Sequence, residues 1–112
     1  MEDLLKQKCV ACRADAPRVT DDELPDLLKG IPDWQPITKD SVLMLNKVFK
    51  FQDYAKSLEF TKKVAALAEE EDHHPAILLE WGKVEVTWWT HKIGGLHKND
   101  FIAAAKTDAL NT

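Results

Sequence analysis

The pattern of hydrophobic and polar side chains in "SVLMLNKVFKF", residues 41–51, alternates more like that of a β-strand than that of a helix. One face of this segment is hydrophobic except for a single lysine: Leu43, Leu45, Lys47, Phe49 and Phe51. The preceding stretch "WQPIT" is predicted to form a short edge strand or an irregular one, because Pro36 has no N–H to donate.

Helical spacing appears in the longer stretch "YAKSLEFTKKVAALAEEED". Its predicted inward-facing residues are Leu58, Val64, Leu67 and Ala68. Asp53 is predicted to cap this helix. Since Pro75 disfavours helical geometry at the residue before it, the helix should end close to His73.

Two shorter helices are predicted near the two ends of the chain. Thr20 and Glu23 have the spacing of a capping box, and Gly30 followed by Pro32 should end the first helix. Its hydrophobic stripe is Leu24, Leu27 and Leu28. The closing helix is "FIAAAKTDAL", with Asn99 or Asp100 near its start.

Two further strands, "AILLEW" and "KVEVTWWTH", follow Pro75, with Gly82 between or within them. In the second strand one face should carry Val84, Val86, Trp88 and Thr90, and the other Glu85, Thr87, Trp89 and His91. His91 should therefore close a strand, and Trp88 should pack in the core or at an interface. The order of elements predicts an α+β domain, an antiparallel sheet of about four strands with helices on one face. We expect one domain over residues 1–112, with residues 1–19 as an N-terminal arm.

Composition narrows the classes of function. The net charge of −4 argues against a general nucleic-acid-binding protein. No apolar run approaches the length of a membrane span, and the start of the chain lacks the pattern of a signal peptide. We therefore expect a cytoplasmic protein that binds neither nucleic acid nor membrane.

Cys9 and Cys12 form the motif "CVAC" near the N-terminus. This spacing suits a redox pair or half of a zinc site, but no strand precedes it and no second CxxC follows. We interpret the two cysteines as reduced residues of the N-terminal arm. A metal-binding or redox protein built on them is the weakest alternative.

The stretch "EEEDHHPAI" raises the question of function, because histidine is the side chain that ionises nearest neutral pH. Taken alone, His73 and His74 are more typical of a polar helix end than of a catalytic pair. Their spacing to later residues changes this interpretation. Glu69 precedes His73-His74-Pro75 by three intervening residues, and Trp81, His91 and Asp100 follow at wider intervals.

This pattern resembles the pterin-4a-carbinolamine dehydratases, and the similarity extends to "CRADAPRVT", "LNKVFKFQDY" and "VAALAEE". The resemblance implies dehydration of 4a-hydroxytetrahydropterins, which recycles the pterin cofactor of aromatic amino acid hydroxylases. It implies a reaction that needs no metal or further cofactor, since the pterin is the substrate. It also implies association through the sheet into a homodimer or homotetramer, with "KVEVTWW" near the interface.

The resemblance also implies roles for single residues. His73 and His91 would be the acid/base pair in a solvent-reachable pocket, and His74 would hold the substrate as part of the catalytic set. Glu69 and Asp100 would orient the imidazoles. Asp72, Pro75 and Trp81 would border the substrate, with Trp81 as a wall of the pocket.

Two features depart from the family pattern. Animal members carry arginine where this chain has Asn99, and His97 lies outside the pattern and is interpreted as a solvated loop residue. The alternative function is a non-catalytic dimerisation module of the transcription-coactivator type, since the same fold has that role in animals. A chain with a degenerate site would favour that role, whereas this chain retains the whole set.

Overall fold

The computed structural model describes residues 19–111. Its helices are α1 (Leu24–Lys29), α2 (Tyr54–Glu71) and α3 (Lys98–Leu110). Its strands are β1 (Gln35–Lys39), β2 (Val42–Lys50), β3 (Ala76–Glu80) and β4 (Lys83–Trp88). A 3₁₀ turn at His91–Ile93 lies between β4 and α3. Cys9 and Cys12 and nearly all of the predicted N-terminal arm fall outside the described residues.

The four strands form one antiparallel sheet in the order β1-β2-β4-β3. The α+β fold predicted from the sequence is confirmed. β1 lies at an edge, as Pro36 requires, because an edge strand leaves one side of its backbone without a partner. Asp40 and Ser41, which join β1 to β2, both have positive φ (51° and 66°), as a tight two-residue hairpin turn of type I′ demands.

The core lies between one face of the sheet and the helices. The strands contribute Leu45, Phe49, Val84, Val86 and Trp88, and the helices contribute Phe60, Val64, Leu67, Phe101 and Ile102. This alternation matches the predicted faces of β2 and β4. Lys47, the one charge on the inner face of β2, lies 2.7 Å from Asp108 Oδ1 of α3 and 4.6 Å from the centre of the Phe49 ring. The charge of Lys47 is therefore paired with a carboxylate at the point where its side chain lies against the core.

The predicted inward face of α2 was partly wrong. Asp53 caps the helix by accepting a hydrogen bond from the Lys56 N–H at 2.8 Å, as expected. Leu58, however, is exposed, and Phe60 is buried in its place. Leu58 lies six residues before Val64, which rotates it by about 120° from the buried stripe at 100° per residue.

The prediction for the first helix was confirmed, and the prediction for His91 was wrong. Thr20 and Glu23 form the predicted capping box, with reciprocal hydrogen bonds of 3.0 and 3.2 Å, and the helix itself begins at Leu24. His91 does not close a strand. β4 ends at Trp88 because the chain turns there, with Thr90 bridging to Gly95 and His91 starting the 3₁₀ turn.

Candidate active site

The C-terminus of α2 sets the directions of the two adjacent histidines. Asp72 adopts a left-handed conformation (φ 51°, ψ 44°), and the His73 N–H donates to the Ala68 carbonyl at 3.1 Å. This is a Schellman ending, which stops the helix within two residues of the position predicted from Pro75. His73 then turns inward with only 4% of its surface exposed, whereas 55% of the His74 side chain is exposed.

His73 forms a buried pair with Asp100. Its Nε2 lies 2.7 Å from Asp100 Oδ1, and Asp100 has no exposed surface. The imidazole stacks on the indole of Trp88, with ring centres 5.2 Å apart. The expectation that His73 lies in a solvent-reachable pocket is therefore wrong for this chain, because the pairing with Asp100 and the stacking on Trp88 place the ring in the core.

Asp100 accepts two further hydrogen bonds. The Thr90 hydroxyl donates to Oδ2 at 2.8 Å, and the His97 N–H donates to the same oxygen at 2.9 Å. A carboxylate that is fully removed from water needs such donors to offset the loss of hydration. The residue that follows α2 and the connection between β4 and α3 thus converge on one carboxylate of α3. Thr90 was predicted only to share a face of the strand with Val84, Val86 and Trp88, and its contact with Asp100 could not be read from spacing.

His97 is not a solvated loop residue, so that prediction was wrong. It is buried and is the N-cap of α3: its Nδ1 accepts a hydrogen bond from the Asn99 N–H at 3.0 Å. The bond from the His97 N–H to Asp100 completes a capping box. Burial lowers the pKa of His97 below its ordinary 6.5; the charge of Asp100 opposes this shift and that of His73 adds to it. Asn99, in place of the arginine of animal members, is buried in the first turn of α3.

A second group of side chains lies on the surface around His74. His74 Nε2 lies 2.7 Å from Glu69 Oε1, one turn back along α2. His91 Nε2 lies 3.3 Å from the backbone oxygen of His74, to which it can donate. The Trp89 ring stacks on His91 with centres 4.2 Å apart. The surface group therefore presents two imidazoles, one carboxylate and an aromatic face.

Three other predicted site residues lie around or away from this group. Asp72 is exposed at the end of α2, and Pro75 is partly buried just before β3. Trp81 is 71% exposed in the turn between β3 and β4, at the opposite end of that hairpin from His74. Trp81 comes seven positions after His74, about 20 Å along a mostly extended chain, so the structure does not bring Trp81 to the histidines within one chain. The roles of these residues stay predictions.

Two kinds of structural feature are absent from residues 19–111. Within that range no three His, Cys, Asp or Glu side chains come together in a way that could hold a metal ion. No helix in the same range is long and apolar enough to cross a membrane.

Comparisons with known proteins agree on one family. The family model described as Pterin 4 alpha carbinolamine dehydratase matches residues 17–110. A protein of Marinobacter nauticus is 62% identical over 98% of this chain and 99% of its own length, and one of Nitrosococcus oceani is 60% identical over 98% and 97%. Both carry pterin-4-alpha-carbinolamine dehydratase as a provisional name.

Two solved structures are also similar. A transcriptional coactivator/pterin dehydratase from Brucella melitensis has a TM-score of 0.77 at 30% identity and covers 86% of this chain and 100% of its own. A pterin dehydratase-like protein, a RuBisCO assembly factor in the alpha-carboxysome, has a TM-score of 0.59 at 32% identity over 70% and 88%. The family match spans most of the chain and includes every histidine described above. The chain therefore belongs to the pterin-4a-carbinolamine dehydratase family.

Proposed function

We propose that this protein dehydrates 4a-hydroxytetrahydropterins to quinonoid dihydropterins. One observation carries the proposal: the residue after the buried His73–Asp100 pair, His74, is exposed, and its backbone oxygen contacts the exposed imidazole of His91. Membership of the dehydratase family supports it. The two bacterial relatives reported above also match over nearly the full length of this chain.

The reaction needs two proton transfers and no change of oxidation state. The bond from C4a to its hydroxyl breaks, and that oxygen takes a proton and leaves as water. The proton on N5 is removed, and its electron pair forms the double bond between N5 and C4a. Imidazoles suit both transfers, because an acid or base is most effective when it ionises near the working pH.

We assign the two transfers to His73 and His91, with His74 holding the substrate. His91 is exposed to solvent, and since Trp89 covers one face of its ring, a flat pterin can approach the remaining edge and face directly. His73 must act through the 4% of its surface that is exposed, and its 2.7 Å contact with Asp100 fixes the direction of the ring. Glu69 orients His74 through their 2.7 Å contact.

The test is stopped-flow absorbance of 4a-hydroxytetrahydropterin decay with and without the protein. His73→Gln is the informative variant, because its amide can still donate to Asp100 but cannot transfer a proton. We expect a rate loss of about 10² to 10⁴ with the fold retained. A wild-type rate in His73→Gln would restrict His73 to holding Asp100. Wild-type rates in both His73→Gln and His91→Gln would contradict the mechanism.

We also propose that the product returns to an aromatic amino acid hydroxylase through a separate reductase. The test is a coupled assay of hydroxylase, reductase and limiting pterin. Adding this protein should raise the number of turnovers per pterin, and adding the inactive His91→Gln variant should not. Equal turnover with the wild type and with His91→Gln would contradict a role of this protein in that cycle.

A second candidate function is partner binding, which the names of the two solved structures mention for those proteins. The outer face of the sheet favours it, because Leu78 is 50% exposed there beside a cleft of about 410 Å³ lined in part by Met44 and Trp89. We propose that a second copy of this chain covers this face in a homodimer or a dimer of dimers. Within "KVEVTWW" the residues on that face are Lys83, Glu85, Thr87 and Trp89, since Val84, Val86 and Trp88 are in the core. Light scattering at low micromolar concentration tests this, and a monomer throughout would contradict it.

A further inference from the structure

The residue that begins α3 is an unusual one for its position. N-caps are commonly Ser, Thr, Asp or Asn, which offer an oxygen to the first free N–H groups of the helix. Here the acceptor is Nδ1 of His97, which lies 3.0 Å from the Asn99 nitrogen. The geometry assigns the lone pair to Nδ1 and therefore the proton of the neutral ring to Nε2. Unlike the neutral caps Ser, Thr and Asn, this one can be lost by taking up a proton as the pH falls.

The cap is connected to the buried pair through one residue. The backbone N–H of His97 donates to Asp100 Oδ2, and the other oxygen of Asp100 contacts His73 Nε2. All three residues are buried, so breaking any of these contacts would leave a buried polar group without a hydrogen bond to water in its place, which costs free energy. A shift of the first turn of α3 would therefore move the carboxylate that orients His73.

We propose that neutral His97 is a positioning residue of the dehydratase site: by capping α3 it holds Asp100 against His73, and its protonation in acid releases Asp100. The effect on rate rests on the proposed function, whereas the effect on the His73 ring does not. This role belongs to His97 alone among the histidines in residues 19–111, because only its side chain caps a helix.

The surroundings of His97 determine when the cap is lost. Burial keeps the ring neutral and lowers its pKa below 6.5, and of the charged groups acting on it Asp100 raises the pKa and His73 lowers it. Lys98 is exposed, and its charge acts on Glu23 of the α1 capping box. The cap is therefore intact at pH 7. As the pH falls through the lowered pKa, a proton on Nδ1 opposes the Asn99 N–H and the hydrogen bond is lost.

The test compares His97→Asn with His97→Ala. Asparagine places an oxygen near the position of Nδ1 and is a favoured N-cap that does not titrate, whereas alanine has no acceptor. At pH 7.5 we expect His97→Asn to retain the wild-type kcat. His97→Ala should lose about fivefold in kcat with KM little changed. This is the loss of rate expected if the whole free-energy cost of removing an N-cap were added to the activation free energy. In the pH profile of kcat, the fall at acid pH should involve one protonation fewer in His97→Asn than in the wild type.

A wild-type kcat in His97→Ala would overturn the positioning role, and an unchanged acid limb in His97→Asn would overturn the role of the proton. If His97→Ala does not fold, the acid limb of His97→Asn still decides the proton's role. The ¹⁵N resonances of the His73 ring separate this proposal from the proposed function. Even if neither the wild type nor either variant has dehydratase activity, a change in the His73 ¹⁵N resonances of His97→Ala that is absent in His97→Asn would support the positioning role of His97. The same His73 resonances in wild type and both variants would overturn it.

Discussion

Asp100→Asn is the sharpest single test of the buried pair, because it changes charge and hydrogen bonding with almost no change of shape. Asp100 accepts bonds from His73 Nε2, the Thr90 hydroxyl and the His97 N–H. An amide has only one oxygen. The His97 N–H can only donate, so the amide oxygen must take the place of Oδ2. The NH₂ group then faces His73 Nε2 across 2.7 Å.

His73 must respond by changing tautomer. Nε2 would have to accept a hydrogen bond from the introduced amide, which moves the ring proton to Nδ1. Three bonds to a charged acceptor become bonds to or from a neutral group, a loss of about 1 kcal/mol each. Because the buried amide is cheaper to desolvate than a carboxylate, we expect a net loss of about 2 kcal/mol. In urea this lowers the unfolding midpoint by about 1 M.

Three measurements check this prediction. Tryptophan fluorescence reports urea unfolding, since Trp88 stacks directly on His73. The ¹⁵N shifts of His73 report its tautomer, and stopped-flow absorbance reports the dehydration rate, which should fall by about 10² or more. The matched control is Asp108→Asn on the same helix, because Asp108 also accepts bonds from two side chains, Trp34 and Lys47. It should lose stability and keep the rate. A wild-type rate and tautomer in Asp100→Asn would refute the reasoning.

The remaining predictions use other parts of the molecule. His91→Ala should slow dehydration by about 10² to 10⁴ with no change in melting temperature, because the side chain is exposed; a shifted melting temperature would show a structural role. Gly82→Ala should cost about 1 to 2 kcal/mol in urea unfolding, since φ is +71° and a Cβ would lie 3.1 Å from the Phe51 oxygen. Exhaustive chelation and dialysis should leave the dehydration rate unchanged, and a strict zinc requirement would revive a site involving Cys9 and Cys12. Stability should be greatest above pH 6.5 and fall as the pH drops through the lowered pKa of His97, an effect that His97→Asn should abolish in pH-dependent melting.

The features that the sequence predicted well depend on neighbours along the chain. The alternation in β2, the Asp53 cap and the end of α2 ahead of Pro75 are all set by residues within a few positions of each other. Such features need no knowledge of the tertiary fold, because the backbone geometry of a strand, a cap or a proline is local. The pairing of Thr20 with Glu23 belongs to the same group.

The features that the sequence missed depend on contacts between distant segments. Leu58 is as hydrophobic as Phe60, and only the placement of the sheet decides which of them is buried. His97 could have been found as a possible cap, since Asp100 follows three residues later. Histidine is not among the common N-cap residues, however, so the spacing alone did not indicate a capping box. The burial of His73 could not be read from "DHHP", because it depends on Asp100, 27 residues away.

The division between buried and exposed histidines bears on how enzymes and binding proteins of this family can be told apart. Loss of either His73 or Asp100 alone would remove their buried contact and destabilise the fold, so a chain that lost catalysis would still be under pressure to keep both. His74 and His91 are exposed, and their loss would cost the fold little. Retention of the buried pair is therefore weak support for catalysis, and retention of the exposed pair is stronger. This chain keeps both, with His91 held against His74 and Trp89, and that is the arrangement expected of an enzyme rather than of a binding module alone.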